Sequence, residues 1–265
     1  MKNKSIHTFV VLAYKESSYL EFCIQSVKNQ KYPSEVLIAT STPNLYIKEL
    51  AEKYNIEIII NNGEKGIGAD FDFARTCAKT KLVTCAHQDD IYDYEYSSNI
   101  VEAFYKEPSA IILFSDYYEL KNDIKEINNT NLKIKRMLLT LLKFKGWSGF
   151  KGIKRSCLSL GNAICCPAVT FVNQNITINN VFKCDFVCDV DWYAWEKLSK
   201  LKGKFIFVNK NLMGHRVHEE STTTEIIQNK IRTKEDLIMF QKFWPSSIAK
   251  LLNHFYVKSE SNNKV

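Results

Sequence analysis

The chain has 265 residues and a formal net charge of +7, with 45% hydrophobic and 25% charged residues. Such a chain can bury a sizeable core, which excludes a disordered segment or a small disulfide-stapled scaffold. No window is long and apolar enough to span a bilayer, and Met1-Lys2-Asn3-Lys4 runs straight into a strand-like segment, so neither a membrane span nor a signal peptide is expected.

The first half alternates strand and helix. Residues 8–13 form a short apolar run, read as a buried strand. Ser18-Tyr19-Leu20-Glu21 has the pattern of a capping box, and Leu20, Ile24 and Val27 then share one helical face. Pro33 closes that unit, and residues 36–39 read as the second strand. Thr42-Pro43 predicts a cap followed by proline at the first helical position, ahead of the stripe Tyr46, Ile47, Leu50 and Tyr54. Residues 56–60 are strand-like and 69–79 helical. Residues 82–86 form another strand, 94–105 a helix and 110–114 a further buried strand. This order implies βαβ units and a mainly parallel sheet. Ligands bind such sheets beyond the carboxyl ends of the strands. Three strand ends carry polar groups: Tyr14-Lys15-Glu16, Thr40-Ser41-Thr42 and His87-Gln88-Asp89-Asp90.

Residues 131–155 change character. Eight lysines and arginines are interleaved with apolar residues, and no acidic residue interrupts them. Two readings stay open: an interfacial amphipathic helix on the inner face of a membrane, or a helix packed on the core with a solvated basic face. An apolar run at 163–172 follows, then a helix near 191–200, a strand at 205–208, a polar segment at 215–224 and a final helix. The tail 258–265 is polar and expected to fray. Eight cysteines lie mostly in apolar runs, and the spacing of Cys165, Cys166, Cys184 and Cys188 fits no common zinc knuckle. They are read as reduced and buried, which points to the cytoplasm, where the two glycosylation sequons are accidental.

Three groups of residues can carry chemistry. Asp89-Asp90 sits at a strand end, where adjacent carboxylates can hold a divalent cation against phosphates or simply make a turn. Asp185, Asp189 and Asp191 form a second acidic group at the start of a helix. Asp191 there is either a general base beside Trp192 and Trp195 or a partner of the helix dipole. His215-Arg216-Val217-His218 suits metal and phosphate binding, or is a surface loop. Gly66-Ile67-Gly68 looks like a phosphate-binding turn, but Phe71 stands where the dinucleotide fingerprint needs its third glycine, which rejects a Rossmann dehydrogenase.

In this order, over roughly residues 6–225, these segments resemble glycosyltransferase family 2, which has the GT-A fold. The opening Val10-Val11-Leu12-Ala13-Tyr14-Lys15-Glu16, then Leu20, Ser26-Val27 and Gln30-Lys31-Tyr32-Pro33, is similar to that family's first strand and helix. The resemblance implies an α/β, GT-A-type mainly parallel sheet flanked by helices, with a C-terminal helical region on the acceptor side. It divides the chain into a donor half (1–125), an acceptor-side and catalytic-base half (126–225) and a C-terminal helix and tail (226–265). His87-Gln88-Asp89 stands at the family's D-x-D triplet, so Asp89 is implied to hold Mn2+ or Mg2+ on the donor diphosphate. Asp191 matches the acid that serves as catalytic base, and Arg216-x-His218 with Ser221 matches the late R-x-H segment, making His218 a second metal ligand. Ala13, Tyr14, Glu16, Thr40, Asp70, His87, Gln88 and Arg216 are donor-site candidates, with Asp72 beside them.

The implied activity is inverting transfer from a nucleoside-diphosphate sugar to a hydroxyl of a glycan or lipid-linked acceptor, in cell-surface polysaccharide synthesis. The implied location is cytoplasmic, at the inner membrane face if 131–155 docks there. Two features depart from the family pattern. The turn Ala39-Thr40-Ser41-Thr42-Pro43 lacks the aspartate that reads the nucleobase, and His87 replaces the first acid of D-x-D. They keep open a sugar-nucleotide-binding module without turnover. A sugar nucleotidyltransferase should carry a glycine-rich loop after the first strand, which is absent here. The basic charge comes with no nucleic-acid recognition motif, so no nucleic-acid partner is expected.

Overall fold

Four short apolar strands build the first half of the sheet in a computed structural model that describes residues 5–144, 146–217 and 231–261. They are β1 (His7–Ala13), β2 (Glu35–Thr40), β3 (Glu57–Ile60) and β4 (Leu82–His87), all parallel in the order β3-β2-β1-β4. The helices α1 (Leu20–Lys28), α2 (Leu45–Tyr54) and α3 (Ile67–Cys77) connect them. After β5 (Ile91–Tyr92) and α4 (Tyr96–Lys106) comes β6 (Ala110–Lys121), which carries β7 (Ile124–Glu126) on one edge. The sheet then departs from all-parallel pairing. β8 (Val169–Val172) inserts antiparallel between β4 and β6. Its far neighbour β6 therefore runs parallel to β4, and β9 (Lys204–Val217) runs parallel to β6. The carboxyl ends of β1, β2, β4, β6 and β9 thus share one edge with the start of β8.

Alternation along the strands divides the core in two. Phe9 and Val11 pack with Leu20, Ile24, Ile47, Ile100 and Phe104 on the face covered by α1, α2 and α4. Val10, Val83 and Cys85 face the opposite way, toward Ala74 of α3. That second layer also holds α7 (Val190–Ser199) and α8 (Ile231–Gln241), with α9 (Ser246–Ser261) packed on α8. Trp192 and Trp195 are fully buried there, so they form core rather than a sugar-stacking wall. No described helix is long and apolar enough to cross a membrane, and all eight cysteines carry free thiols.

Several local expectations are corrected. The capping box at 18–21 does not form: Tyr19 precedes α1 without a side-chain cap, and Glu21 accepts from Lys53 and Tyr54 instead. Asn44, not Thr42, caps α2 by accepting from the Ile47 amide, while Thr42 Oγ1 accepts from the Lys15 amide. The strand expected at 205–208 runs on to Val217, because β6 also extends and supplies pairing partners as far as Lys121. Arg216 therefore sits on a strand and not in a loop. Residues 131–155 are not one helix. They fold as α5 (Thr130–Leu138), 3-10 turns at Thr140–Lys143 and Trp147–Gly149, and α6 (Lys151–Ser156). Gly68 is explained by packing: a Cβ there would meet the Phe182 carbonyl oxygen at 2.7 Å.

Candidate functional site

The shared strand edge gathers most of the expected donor residues. Ala13 and Thr40 are register partners at the ends of β1 and β2, and His87 pairs with Leu12 at the end of β4. Beyond β1 the chain turns through Lys15, whose φ is 55°. Gln88 fixes this turn with two bonds, accepting from the Tyr14 amide at 2.9 Å and donating to the Tyr14 carbonyl at 3.1 Å. The Tyr14 and Glu16 side chains are exposed above it. Thr40 is buried, and its hydroxyl accepts from the Thr42 amide, so it shapes the turn. The polar group facing that turn is Asp70, which accepts from Ser41 at 2.9 Å and from Asn61 at 2.8 Å. Ser41 was read only as part of the polar strand end Thr40-Ser41-Thr42, and Asn61, just past β3, escaped the sequence reading.

Asp72 has a different task. Its carboxylate accepts from the amides of Val181, Phe182 and Lys183 at 2.8–3.0 Å, tying α3 to the loop that leads into α7.

His87, Asp89 and Asp90 form a group whose ligand atoms lie within 4.8 Å of one another, and no other such group occurs among the described residues. Asp90 is fully buried. Its Oδ1 accepts from the Arg216 amide at 2.9 Å and from His215 at 3.1 Å. Burial disfavours charge on the His215 ring, but the Asp90 carboxylate outweighs it and raises the imidazole to about 9. Asp90 Oδ2 and His87 Nε2 are both buried without a hydrogen-bond partner. Buried polar atoms without hydrogen bonds, in a carboxylate-rich set, suit a hard divalent cation such as Mg2+ or Mn2+. His87, Asp89 and Asp90 are the residues that would hold it. The sequence pointed to the Asp89-Asp90 pair as possible cation ligands, and the family resemblance gave the metal to Asp89 alone. His218 and Ser221 lie outside the described residues.

Arg216 is buried, stacked 4.3 Å over the Tyr19 ring. Its Nε donates to the Asp89 carbonyl at 3.1 Å, and it also pairs with Asp123. It thus braces the backbone that carries the acidic pair.

Asp191 sits in the first turn of α7. Its Oδ2 accepts from Asn162 Nδ2 at 2.7 Å and its Oδ1 from the Trp192 amide at 2.7 Å. Burial pushes its carboxyl above the ordinary range; the Asn162 and Trp192 hydrogen bonds and the charges of Arg232 and Lys135 act against this. The Cys165 and Cys166 thiols are driven up, mainly by burial, with the charges of both Asp90 and Asp191 contributing. Asn162 belongs to the segment that leads into β8, so its bond ties Asp191 to the side of the sheet where β8 starts, near the end of β4.

Two contributors were not foreseen. Lys135, read only as part of a basic stretch, donates to Tyr117 at 2.9 Å and projects its charge toward His215 and Asp191. Glu235 of α8 is buried and accepts from the amides of Val187, Cys188 and Asp189 at 2.8–3.0 Å, serving as the anion at the start of α7. Asp189 itself makes no cap bond. Its carboxyl is pushed well up by burial and then by the charge of Asp236.

The sequence profile of glycosyl transferase family 2 matches residues 8–173. Among curated proteins there is no significant sequence match. Solved structures share the fold at low identity. TarS 1-349 of S. aureus superimposes with a TM-score of 0.64 at 11% identity, over 94% of this chain and 69% of that one; its complex with UDP-GlcNAc gives 0.63 at 12% identity, over 94% and 70%. The mannosyltransferase PcManGT from Pyrobaculum calidifontis, in complex with GDP-Man and Mn2+, gives 0.61 at 12% identity, over 95% and 69%. The chain covers 42% of a longer TarS structure.

Proposed function

The chain belongs to glycosyl transferase family 2, and we propose that it transfers a sugar from a nucleoside-diphosphate donor to a hydroxyl of a glycan or lipid-linked acceptor, with inversion and with Mn2+ or Mg2+. The setting is cytoplasmic synthesis of a cell-surface polysaccharide. The observation that carries this reading is the His87, Asp89 and Asp90 group at the strand edge, with two buried polar atoms that lack hydrogen bonds and with Asp191 tied to the side of the sheet where β8 starts. Structures of similar fold were solved with UDP-GlcNAc and with GDP-Man and Mn2+, which makes those donor classes the first to try.

The division of labour follows from the surroundings of each group. A bound divalent cation supplies Lewis-acid neutralisation of the departing diphosphate. The turn after β1, clamped by Gln88, and the turn after β2, with Asp70 behind it, form the donor floor in the 1–125 half. Lys135 adds positive charge at the edge where negative charge builds up. In the 126–225 half, the Asp191 carboxylate removes the proton of the acceptor hydroxyl as its oxygen bonds to the anomeric carbon and the carbon–diphosphate bond breaks on the opposite side. Asn162 holds the Asp191 carboxylate in one orientation while leaving it an elevated proton affinity. One displacement with one base inverts the anomeric centre.

The test is a thermal-shift series with UDP-, GDP- and dTDP-sugars, with and without Mn2+, followed by turnover assays. A ligand that binds the native state raises apparent stability. Metal-dependent stabilisation by one nucleotide class, lost in Asp89→Ala, is the expected result. Stabilisation without any transfer or donor hydrolysis would favour the binding module, and no stabilisation by any donor would overturn both readings.

A further inference from the structure

The basic stretch at 131–155 separates into two populations. Lys135 and Arg136 turn inward, Lys135 onto Tyr117 and Arg136 onto Asp116, the Ile127 carbonyl and Asn211. Lys154 donates to the carbonyls of Leu201 and Gly203, and Arg155 pairs with Glu196. These cations hold the fold together. Lys133, Lys143 and Lys151 instead face solvent.

Three large aromatic side chains lie among the outward lysines. Phe144, Trp147 and Phe150 are 52%, 45% and 63% exposed, and Met137 on α5 is 65% exposed. Their spacing of three is matched by backbone bonds, Trp147 N–H to the Phe144 carbonyl at 3.2 Å and Phe150 N–H to the Trp147 carbonyl at 3.0 Å. Turns of three residues bring such side chains to one side. The Phe144 and Trp147 rings indeed sit 5.2 Å apart. α5, carrying Met137, packs against the adjoining Thr140–Lys143 turn.

The charged residues of this stretch of chain have one sign. No acidic residue occurs in the sequence between Glu126 and Asp185. The Lys204 side chain lies beside Gly149, and the acid next to it, Glu107, is paired with that lysine. The cluster is therefore an exposed aromatic and cationic surface. It packs beside Lys204 and Phe207, along the first residues of β9.

We propose that Phe144, Trp147 and Phe150, flanked by Lys133, Lys143 and Lys151, seat this chain on an anionic phospholipid bilayer. Aromatic rings gain by leaving water for the headgroup boundary, and lysines beside them are drawn to anionic lipid. Exposed rings set among solvent-facing lysines complement an interface that is apolar and anionic at once. The surface does not depend on the glycosyl-transfer reading, because its test measures no turnover.

The experiment is sedimentation of the full chain with phosphatidylcholine vesicles and with vesicles that also contain phosphatidylglycerol, combined with tryptophan emission. Trp192 and Trp195 are fully buried and Trp244 is bonded to the Ser159 carbonyl, so a blue shift on binding should come from Trp147. Binding only to phosphatidylglycerol vesicles, weakened by salt, is expected. Phe144→Ser/Trp147→Ser/Phe150→Ser, and separately Lys143→Glu/Lys151→Glu, should each weaken it by roughly tenfold or more, with melting temperatures unchanged because the side chains are exposed. Failure of the folded wild type to bind phosphatidylglycerol vesicles would overturn the proposal, as would binding by either variant as tight as that of the wild type. A concentration-dependent dimer abolished by the aromatic variant, with no vesicle binding, would assign the surface to a second copy. Donor-induced stabilisation, measured on the same proteins, judges the catalytic reading separately.

Discussion

At the donor edge, His87, Gln88, Asp89 and Asp90 are consecutive residues at and just past one strand end, and strand pairing alone sets them beside the turns after β1 and β2. Asp191 is placed by other means. It sits at the start of a helix whose approach, residues 181–189, is gripped at both ends by distant carboxylates. Asp72 holds the amides of 181–183 from α3, and Glu235 holds those of 187–189 from α8. The first region needs only a local pattern. The second needs three parts of the chain to arrive together, which makes it both harder to read and easier to loosen.

The largest expected effect separates the two regions outright. Asp191→Asn keeps the shape of the side chain but cannot accept the acceptor's proton. It should lower kcat by about 10²–10⁴-fold with donor-induced stabilisation intact. Loss of donor binding in this variant would show that the two regions are one unit. Asp89→Ala is its complement: titration of donor against the folded variant should show the metal-dependent affinity gone, with the melting temperature of the unliganded protein little changed.

Glu235→Ala probes the grip itself. Removing the carboxylate strands buried amides at the start of α7, a cost of about 1–3 kcal/mol for a buried donor left unpaired. Denaturant unfolding should register that loss, and steady-state kinetics should show a lower kcat at unchanged donor KM. Glu235→Gln retains one acceptor oxygen and should recover part of both. A change in donor KM alone would contradict the assignment of this carboxylate to the base side.

How far the site was legible follows the same division. Alternating strands and helices, Asp89 at a strand end and Asp191 at a helix start could all be read because each rests on neighbours in sequence. Asn162, Glu235 and the inward turn of Lys135 could not, since nothing nearby in sequence marks them as supports of Asp191 or of the start of its helix. Local patterns also misled where tertiary contacts competed. Thr42 had the right spacing to cap α2, yet the Lys15 amide takes its hydroxyl and Asn44 does the capping. The basic run looked uniform, yet half of it braces the interior. β9 outlasted its apolar stretch because a parallel partner was there to bond it.

The smallest predicted effect is the most specific to Asp191. Its carboxyl is raised chiefly by burial, and the Asn162 hydrogen bond opposes that by favouring the charged form. The base works only when deprotonated, so kcat/KM should climb along an acidic limb set above the ordinary carboxylate range. Asn162→Ala removes a bond to the charged form, so the proton is held more tightly and the limb moves to higher pH, by about one unit or less. Activity should then fall most at low pH and recover as pH rises past the displaced limb. A pH profile of transfer by the two proteins reads this directly. A uniform loss at every pH would mean that Asn162 acts through packing alone, and a shift toward lower pH would remove Asp191 as the titrating base. Among the described residues, none of those proposed to hold donor or metal bonds to Asn162, so metal-dependent donor affinity should be the same in both proteins.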